Sequence, residues 1–309
     1  MTTQIPAAER CSQQWRRDDL PAWGTASRAD FWIALEQPGP WGAKALTESH
    51  LDPELGKHLE ETCSDAGGRA VLIRRPGRHV DTGDGPFTVF IAGGIAAGRP
   101  WLGRTQLQSH YDVMELLSLE KDLGHASLPE WLTASDPILA VCTNARRDQC
   151  CALEGRQLLA HLAEDDRAED ELAARLWEVS HLGGHRFAAT ALVLPTGQSL
   201  ARVDVDQARA ALDAAALGLP LAAGALHDRG LGHLPGHLQV ADAWARAQHL
   251  PGVRPGAEAE QVDADTWQVR LSGHSVRVAR SSGPDELTSS CGKDVVPVER
   301  WSLTESRHG

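Results

Sequence analysis

Five consecutive apolar residues closed by a cysteine, Ile138-Leu139-Ala140-Val141-Cys142, constrain the fold more than any other stretch of the chain. A run of that length, set between Pro137 and a polar loop, reads as a buried strand. The loop is TNARRDQ (143–149), and after it CALEGRQLLAHLAED (151–165) repeats its apolar residues at helical spacing. DELAARLWEVS (170–180) starts as a helix and ends as a strand, and HLGGHRF (181–187) reads as a loop. ATALVLPTGQSLARV (189–203) reads as a hairpin turning at PTGQ. DQARAALDAAALG (206–218) is an Ala-rich helix stopped by glycine.

The order β–α–β–β–α is that of a thioredoxin-like core, and residues 136–222 are assigned to it. Ahead of it, residues 1–135 read as a separate N-terminal α/β unit. FWIALEQ (31–37), RAVLIRR (69–75) and FTVFIAG (87–93) are its strands, and 52–68 and 111–124 its helices. Residues 1–30 are polar and irregular, and PGPWG, DGPF and IAGGIAAGRP mark turns. Residues 223–309 form a small C-terminal α+β extension. It holds a helix at 238–250, a Pro/Gly linker at 251–260, a hairpin at 266–280 and a strand at 295–303. No internal repeat appears at a fixed period. The expected fold class is therefore α/β, with a thioredoxin-like core between two smaller units.

The chain has 309 residues and a formal net charge of -12, with no basic stripe, which argues against a nucleic-acid partner. An acidic surface suits a basic redox partner, or simply solubility. No run of 18 apolar residues exists to cross a membrane, and the N-terminus MTTQIPAAERCSQQWRR lacks an apolar signal region. The expectation is a cytoplasmic protein, whose six cysteines are free thiols or metal ligands rather than disulfides. There is no G-x-S-x-G elbow, no Walker A sequence, and no G-x-G-x-x-G after a strand.

Cys142 and Cys151 are separated by eight residues, and His181 and His185 form a His-x-x-x-His pair. All four fall in or beside loops next to expected strands. Thiolate and imidazole together suit zinc or iron–sulfur chemistry. Gly183 and Gly184 remove side chains between the histidines and permit the bend that turns both rings toward one centre. Zinc sites usually pair cysteines two to four residues apart, and the spacing here is wider. Spacing alone leaves zinc, an iron–sulfur cluster and unliganded residues all open.

The segments VCTNARRDQCCALEGR (141–156) and EVSHLGGHRFAATALVLPTG (178–197) resemble the signature of the sucrase/ferredoxin-like family of thioredoxin-like ferredoxins. WIALEQPGPWG (32–42) and VLIRRPGR (71–78) resemble it too. The resemblance implies a 2Fe–2S cluster held by Cys142, Cys151, His181 and His185, with Cys150 as the runner-up to Cys151. It implies an electron carrier, more than an enzyme with its own substrate, serving an unidentified redox partner protein. Two imidazoles in place of two thiolates would raise the potential, as in Rieske centres, and a free imidazole nitrogen could couple reduction to a proton. Asn144-Ala145 stand where the family often has His-Gly, a difference bearing on tuning rather than binding. The word sucrase finds no support, because no carboxylate pair suggests glycoside hydrolysis. The alternative is a zinc-stabilised α/β binding module without redox activity.

Other residues have two readings each. Arg146, Arg147 and Arg186 are donors to cluster sulfides or members of a solvated loop. Asp148 is expected to fix the cysteine loop by an Asx-type turn. Trp177 and Phe187 shield the cluster or pack the core, and Cys11, Cys63 and Cys291 read as buried thiols. His227, His233 and His237 in HDRGLGHLPGH invite a second metal site, against which their Gly and Pro neighbours argue.

Overall fold

The computed structural model describes residues 6, 9–77, 85–118, 123–124, 127–164, 170–254, 257 and 259–305. Its first elements are α1 (Cys11–Arg17), β1 (Trp32–Glu36), α2 (Pro53–Asp65), β2 (Arg69–Arg74), β3 (Phe87–Gly93), β4 (Trp101–Leu107), α3 (Val113–Leu117) and β5 (Thr133–Ala134). There follow β6 (Ile138–Cys142), α4 (Gln149–Glu164), α5 (Asp170–Arg175), β7 (Leu176–Val179), β8 (Ala191–Leu194), β9 (Gln198–Leu200) and α6 (Val205–Ala216). The chain ends on α7 (Gly224–His227), β10 (Asp228–Leu231), α8 (Gly236–Ala247) and four strands, β11 (Ala259–Asp263), β12 (Thr266–Leu271), β13 (His274–Thr288) and β14 (Val295–Glu305).

The fold is mixed α/β, with ten strands in one sheet of order β10-β9-β8-β6-β7-β2-β1-β3-β4-β5. The apolar run 138–142 lies inside it as β6, wholly buried, parallel to β7 and antiparallel to β8. β8 continues into β9 through the expected hairpin. The other half repeats this wiring: β1 is parallel to β2 and antiparallel to β3, and β3 pairs antiparallel with β4. The repeat is one of connectivity and leaves no periodic trace in the sequence. Antiparallel pairing of β2 with β7 joins the halves, Ile73 opposite Val179 and Arg74 opposite Glu178. At this seam Arg74 Nη2 meets Glu178 Oε2 at 2.7 Å, and the Thr143 hydroxyl donates to the same oxygen at 2.7 Å. β10 adds to the same sheet beside β9. Hydrogen-bonded pairs therefore bridge segments 1–135, 136–222 and 223–309.

Buried Trp32, Phe90, Trp177, Cys142 and Cys151 share one core cluster that spans both halves of the sheet. The second sheet is the meander β11-β12-β13-β14. Val269, Val276 and Val278 on it pack against Val240, Ala241 and Ala245 of α8. Among the described residues no helix is long and apolar enough to cross a membrane.

Several expectations change. The segment 1–30 contains the helix α1, anchored by Trp15, which meets Phe187 edge to face at a centroid distance of 5.4 Å. The helix expected over 111–124 is α3 alone, entered by a 3-10 turn at His110–Asp112 that Ser109 caps; 119–122 lie outside the described residues. β4 and β10 were not expected at all, and β11 begins within the stretch read as a linker, of which 255, 256 and 258 lie outside the described residues.

Candidate metal centre

Cys142 is the last residue of β6, and its N–H donates to Thr190 O at 2.9 Å. The chain then turns sharply, with Arg147 and Asp148 N–H both donating to Asn144 O. Asp148 closes the expected Asx-type turn: its Oδ1 accepts from Cys150 N–H at 2.8 Å as α4 begins. A Cβ on Gly155 would lie 2.3 Å from the carbonyl oxygen of Cys142, so only glycine lets α4 rest directly on the end of β6. That close approach brings Cys151 onto Cys142. Both are fully buried in one core cluster, and each thiol acts on the pKa of the other.

The histidines arrive on the loop that follows β7. Ser180, just past β7, is pinned to Leu72 by its backbone N–H at 2.9 Å and by its hydroxyl, which accepts from Leu72 N–H at 3.1 Å. Gly183 and Gly184 then take left-handed conformations, φ 69° and 70°, and the chain enters a 3-10 turn at His185–Phe187. The reversal sets the His181 and His185 rings 5.2 Å apart, centroid to centroid. His185 Nδ1 lies 3.3 Å from Cys151 Sγ. Asp148, Cys151 and His185 hold ligand atoms within 4.8 Å of one another.

A buried arginine from β10 underpins the loop. Arg229 Nη1 donates to Gly183 O at 3.0 Å and Leu182 O at 3.3 Å, while Nη2 donates to Thr25 O at 2.6 Å. A side chain at Gly184 would run into its guanidinium, 2.7 Å from Cζ. Burial, with Arg186 nearby, pushes the Arg229 pKa down to about 10, and the two site cysteines oppose that shift.

The site's electrostatics suit donors to a cation. The Cys151 hydrogen bond, with backbone N–H groups of Asn144 and Leu182, draws the Cys142 thiol down in pKa against the cost of burial. Cys151 is raised in turn by its bond to Cys142 and by burial. Burial first, then His185 and the cations Arg147, Arg69 and Arg229, push His181 down to about 3. Burial lowers His185 as well, although Asp148 opposes it. Both imidazoles are therefore neutral near pH 7, with lone pairs available. His181 also lines a surface cleft of about 340 Å³ with Lys44, Arg69 and Arg147.

Of the remaining sequence candidates, Cys150 faces away from this pocket: its Sγ lies 3.5 Å from Cys11 Sγ and 3.1 Å from Cys291 Sγ. Neighbouring helix residues diverge by about 100°, which separates the two adjacent thiols. Cys11 and Cys291 are thus members of a thiol group rather than isolated buried residues, while Cys63 is plain core. Trp177 packs on Phe90, and Arg186 lies over Trp15 and Phe187. Arg146 stays on the exposed loop. His227 bonds to Ala201 O, His237 stacks on Trp267, and His233 lines a separate cavity. Sequence reasoning missed Arg229, whose partners lie 46, 47 and 204 residues away along the chain.

Residues 22–220 match the family model described as sucrase/ferredoxin-like. The chain belongs to the sucrase/ferredoxin-like family. Comparison with curated proteins and with solved structures found no match. The sucrase/ferredoxin-like match takes in Cys142, Cys151, His181 and His185 and stops short of Arg229, α8 and the second sheet. Cys11 precedes it and Cys291 follows it.

Proposed function

We propose that this protein is an electron carrier in which Cys142, Cys151, His181 and His185 hold a 2Fe–2S cluster. The observation that carries the reading is convergence. Cys151 at the start of α4 touches His185, the His181 ring lies 5.2 Å from the His185 ring, and Cys142 at the end of β6 shares the buried cluster of Cys151, in a chain of the sucrase/ferredoxin-like family. The donor set fits such a group, with the Cys151 sulfur 3.3 Å from His185 Nδ1 and backbone N–H groups directed at the Cys142 sulfur. The strand order β9-β8-β6-β7, with its one parallel pair, supports reading 136–222 as a thioredoxin-like ferredoxin domain, between an N-terminal unit (1–135) and an extension (223–309).

When bound, the cluster supplies one-electron redox chemistry. The chain's own residues set the terms. Two neutral imidazoles leave less negative charge at the site than two further thiolates would, so an added electron is better tolerated. Arg229 adds a buried positive charge beside both cysteines and fixes the histidine loop. Trp177, Phe90 and Leu182 exclude water behind the thiols. His181 is the member nearest an opening, and Lys44, Arg69 and Arg147 around that cleft, against the one carboxylate Glu60, favour a partner with an acidic contact face.

The test is metal and sulfide analysis of protein purified without oxygen. The reading expects about two irons and two acid-labile sulfides per chain, with the absorption of a 2Fe–2S centre. Cys142→Ser and Cys151→Ser should lose both, and Cys150→Ser should keep both. Wild-type protein with zinc bound through Cys142 and no sulfide would instead indicate the zinc-stabilised binding module.

A further inference from the structure

Three of the four cysteines outside the candidate cluster site form a group of their own. Cys11 stands in the first turn of α1, Cys150 in the first turn of α4, and Cys291 in the connection between β13 and β14. Their sulfurs are separated by 3.5 Å (Cys11–Cys150), 3.1 Å (Cys150–Cys291) and 3.7 Å (Cys291–Cys11), and all three are free thiols. A disulfide joins two sulfurs and leaves a third thiol without a role. Here each sulfur has both others as near neighbours. The triangle encloses a point about 2 Å from every sulfur; a zinc–sulfur bond of about 2.3 Å sets an ion about 1 Å out of that plane, with a fourth position free above it.

Asp148 builds the group. Its Oδ1 accepts from Cys150 N–H at 2.8 Å, and its Oδ2 accepts from Cys291 N–H at 2.9 Å and from the Ser290 hydroxyl at 2.8 Å. One buried carboxylate thus fixes the backbone of two of the three cysteines, and its oxygen lies within 4.8 Å of all three sulfurs. Ala188 closes one side, and partly exposed Cys291 leaves the other open to solvent.

We propose that Cys11, Cys150 and Cys291 bind a zinc ion, with Asp148 or a water molecule as the fourth ligand. Zinc takes the place of the three thiol protons, which pass to solvent, and no electron is transferred. The ion ties together three segments that lie 139, 141 and 280 residues apart in pairs. It holds α1, a seven-residue helix with no side-chain cap, against α4 and the second sheet. Because Asp148 also borders Cys151 and His185, the zinc stiffens the loop that carries the candidate cluster ligands. The proposal does not rest on the cluster reading: its three cysteines are disjoint from Cys142 and Cys151.

The test is element-specific. Full-length protein, purified with reductant and incubated with equimolar zinc, should retain about one zinc per chain after desalting, and X-ray absorption at the zinc edge should give three sulfur neighbours at about 2.3 Å with one lighter atom. Cys291→Ser and Cys11→Ser should each lower retained zinc at least tenfold while iron and sulfide stay at wild-type levels. Cys142→Ser should do the reverse. Should Cys11→Ser fail to fold, Cys291→Ala in the partly exposed connection and the wild-type zinc edge still decide. Reduced wild-type protein that retains no zinc, or zinc lost in Cys142→Ser and kept in Cys291→Ser, would overturn the site. So would a disulfide among the three thiols in protein kept under reductant. Wild-type protein with three-sulfur zinc and no iron would leave this site standing and remove the cluster reading.

Discussion

At the residue scale the candidate centre depends on two kinds of position, donors and the glycines that let them meet. Gly155 is the sharper case, because its neighbour is backbone: an added Cβ meets the Cys142 carbonyl at 2.3 Å and cannot be relieved by a rotamer change. Gly155→Ala should push α4 off the end of β6 and cost about 1–3 kcal/mol, the usual range for overpacking. Denaturant unfolding would measure the cost, and iron content should fall with it because Cys151 moves away from Cys142. Unchanged stability and iron loading would mean that α4 does not need this approach. The four candidate ligands could be named from the sequence, since Cys142, Cys151, His181 and His185 sit at short, marked spacings beside a glycine pair, and the fold sets Cys151 against His185. Arg229 was hidden because it reads as one polar residue in a Gly- and His-rich stretch, and only the folded sheet brings it beneath His181–Gly184. The three-thiol group was hidden for the same reason: cysteines 139 and 280 residues apart have no spacing to read.

At the element scale, apolar strands were read correctly and diluted ones were missed. β6 and β3 are buried along their whole length and announce themselves as hydrophobic runs. β10 is equally buried, but its sequence Asp-Arg-Gly-Leu carries charges that find tertiary partners: Arg246 Nη1 meets Asp228 at 2.7 Å, and Thr25 and the glycine loop accept hydrogen bonds from Arg229. β4 holds an exposed Arg104 and a glycine, which mask its periodicity. α2 was legible by its helical periodicity and the Gly67-Gly68 pair that stops it. Asp52 caps it, accepting from Glu54 and Leu55 N–H at 2.8 and 3.1 Å, and also from the Tyr111 hydroxyl at 2.7 Å. The Tyr111 bond and then the backbone bonds lower the Asp52 pKa in the folded state. The unfolded value is about 3.9, so this stabilisation is complete above that pH and is lost as pH falls through the lower folded value. Asp52→Ala should therefore lower the melting temperature at pH 7, and the gap to wild type should narrow below about pH 4. A gap independent of pH would show that the charged cap contributes nothing.

At the scale of the whole molecule, two halves of like connectivity meet edge to edge at β2 and β7, and the candidate centre lies on one side of that seam. The first half has no cysteine where β6 ends on Cys142; β1 ends on Glu36 instead. Its contribution is to wall the site: Arg69 of β2 lines the cleft at His181, and Asn144 Nδ2 donates to Gly42 O at 2.9 Å. The net charge of -12 is therefore a poor guide to the cleft at His181, where Lys44, Arg69 and Arg147 outnumber Glu60. Oxidation of the reduced protein by anionic ferricyanide should slow at higher ionic strength and in Arg147→Glu, while oxidation by a cationic ruthenium ammine should respond in the opposite sense. Equal behaviour with both reagents would place the electron exit elsewhere. The central claim, that two histidines join two cysteines at one cluster, is tested most directly by pulsed electron paramagnetic resonance of the reduced protein with histidine labelled by nitrogen-15. Strong couplings to two histidine nitrogens are expected, one of which disappears in His181→Cys and the other in His185→Cys. A reduced cluster without histidine coupling, or with coupling unchanged in both variants, would contradict it.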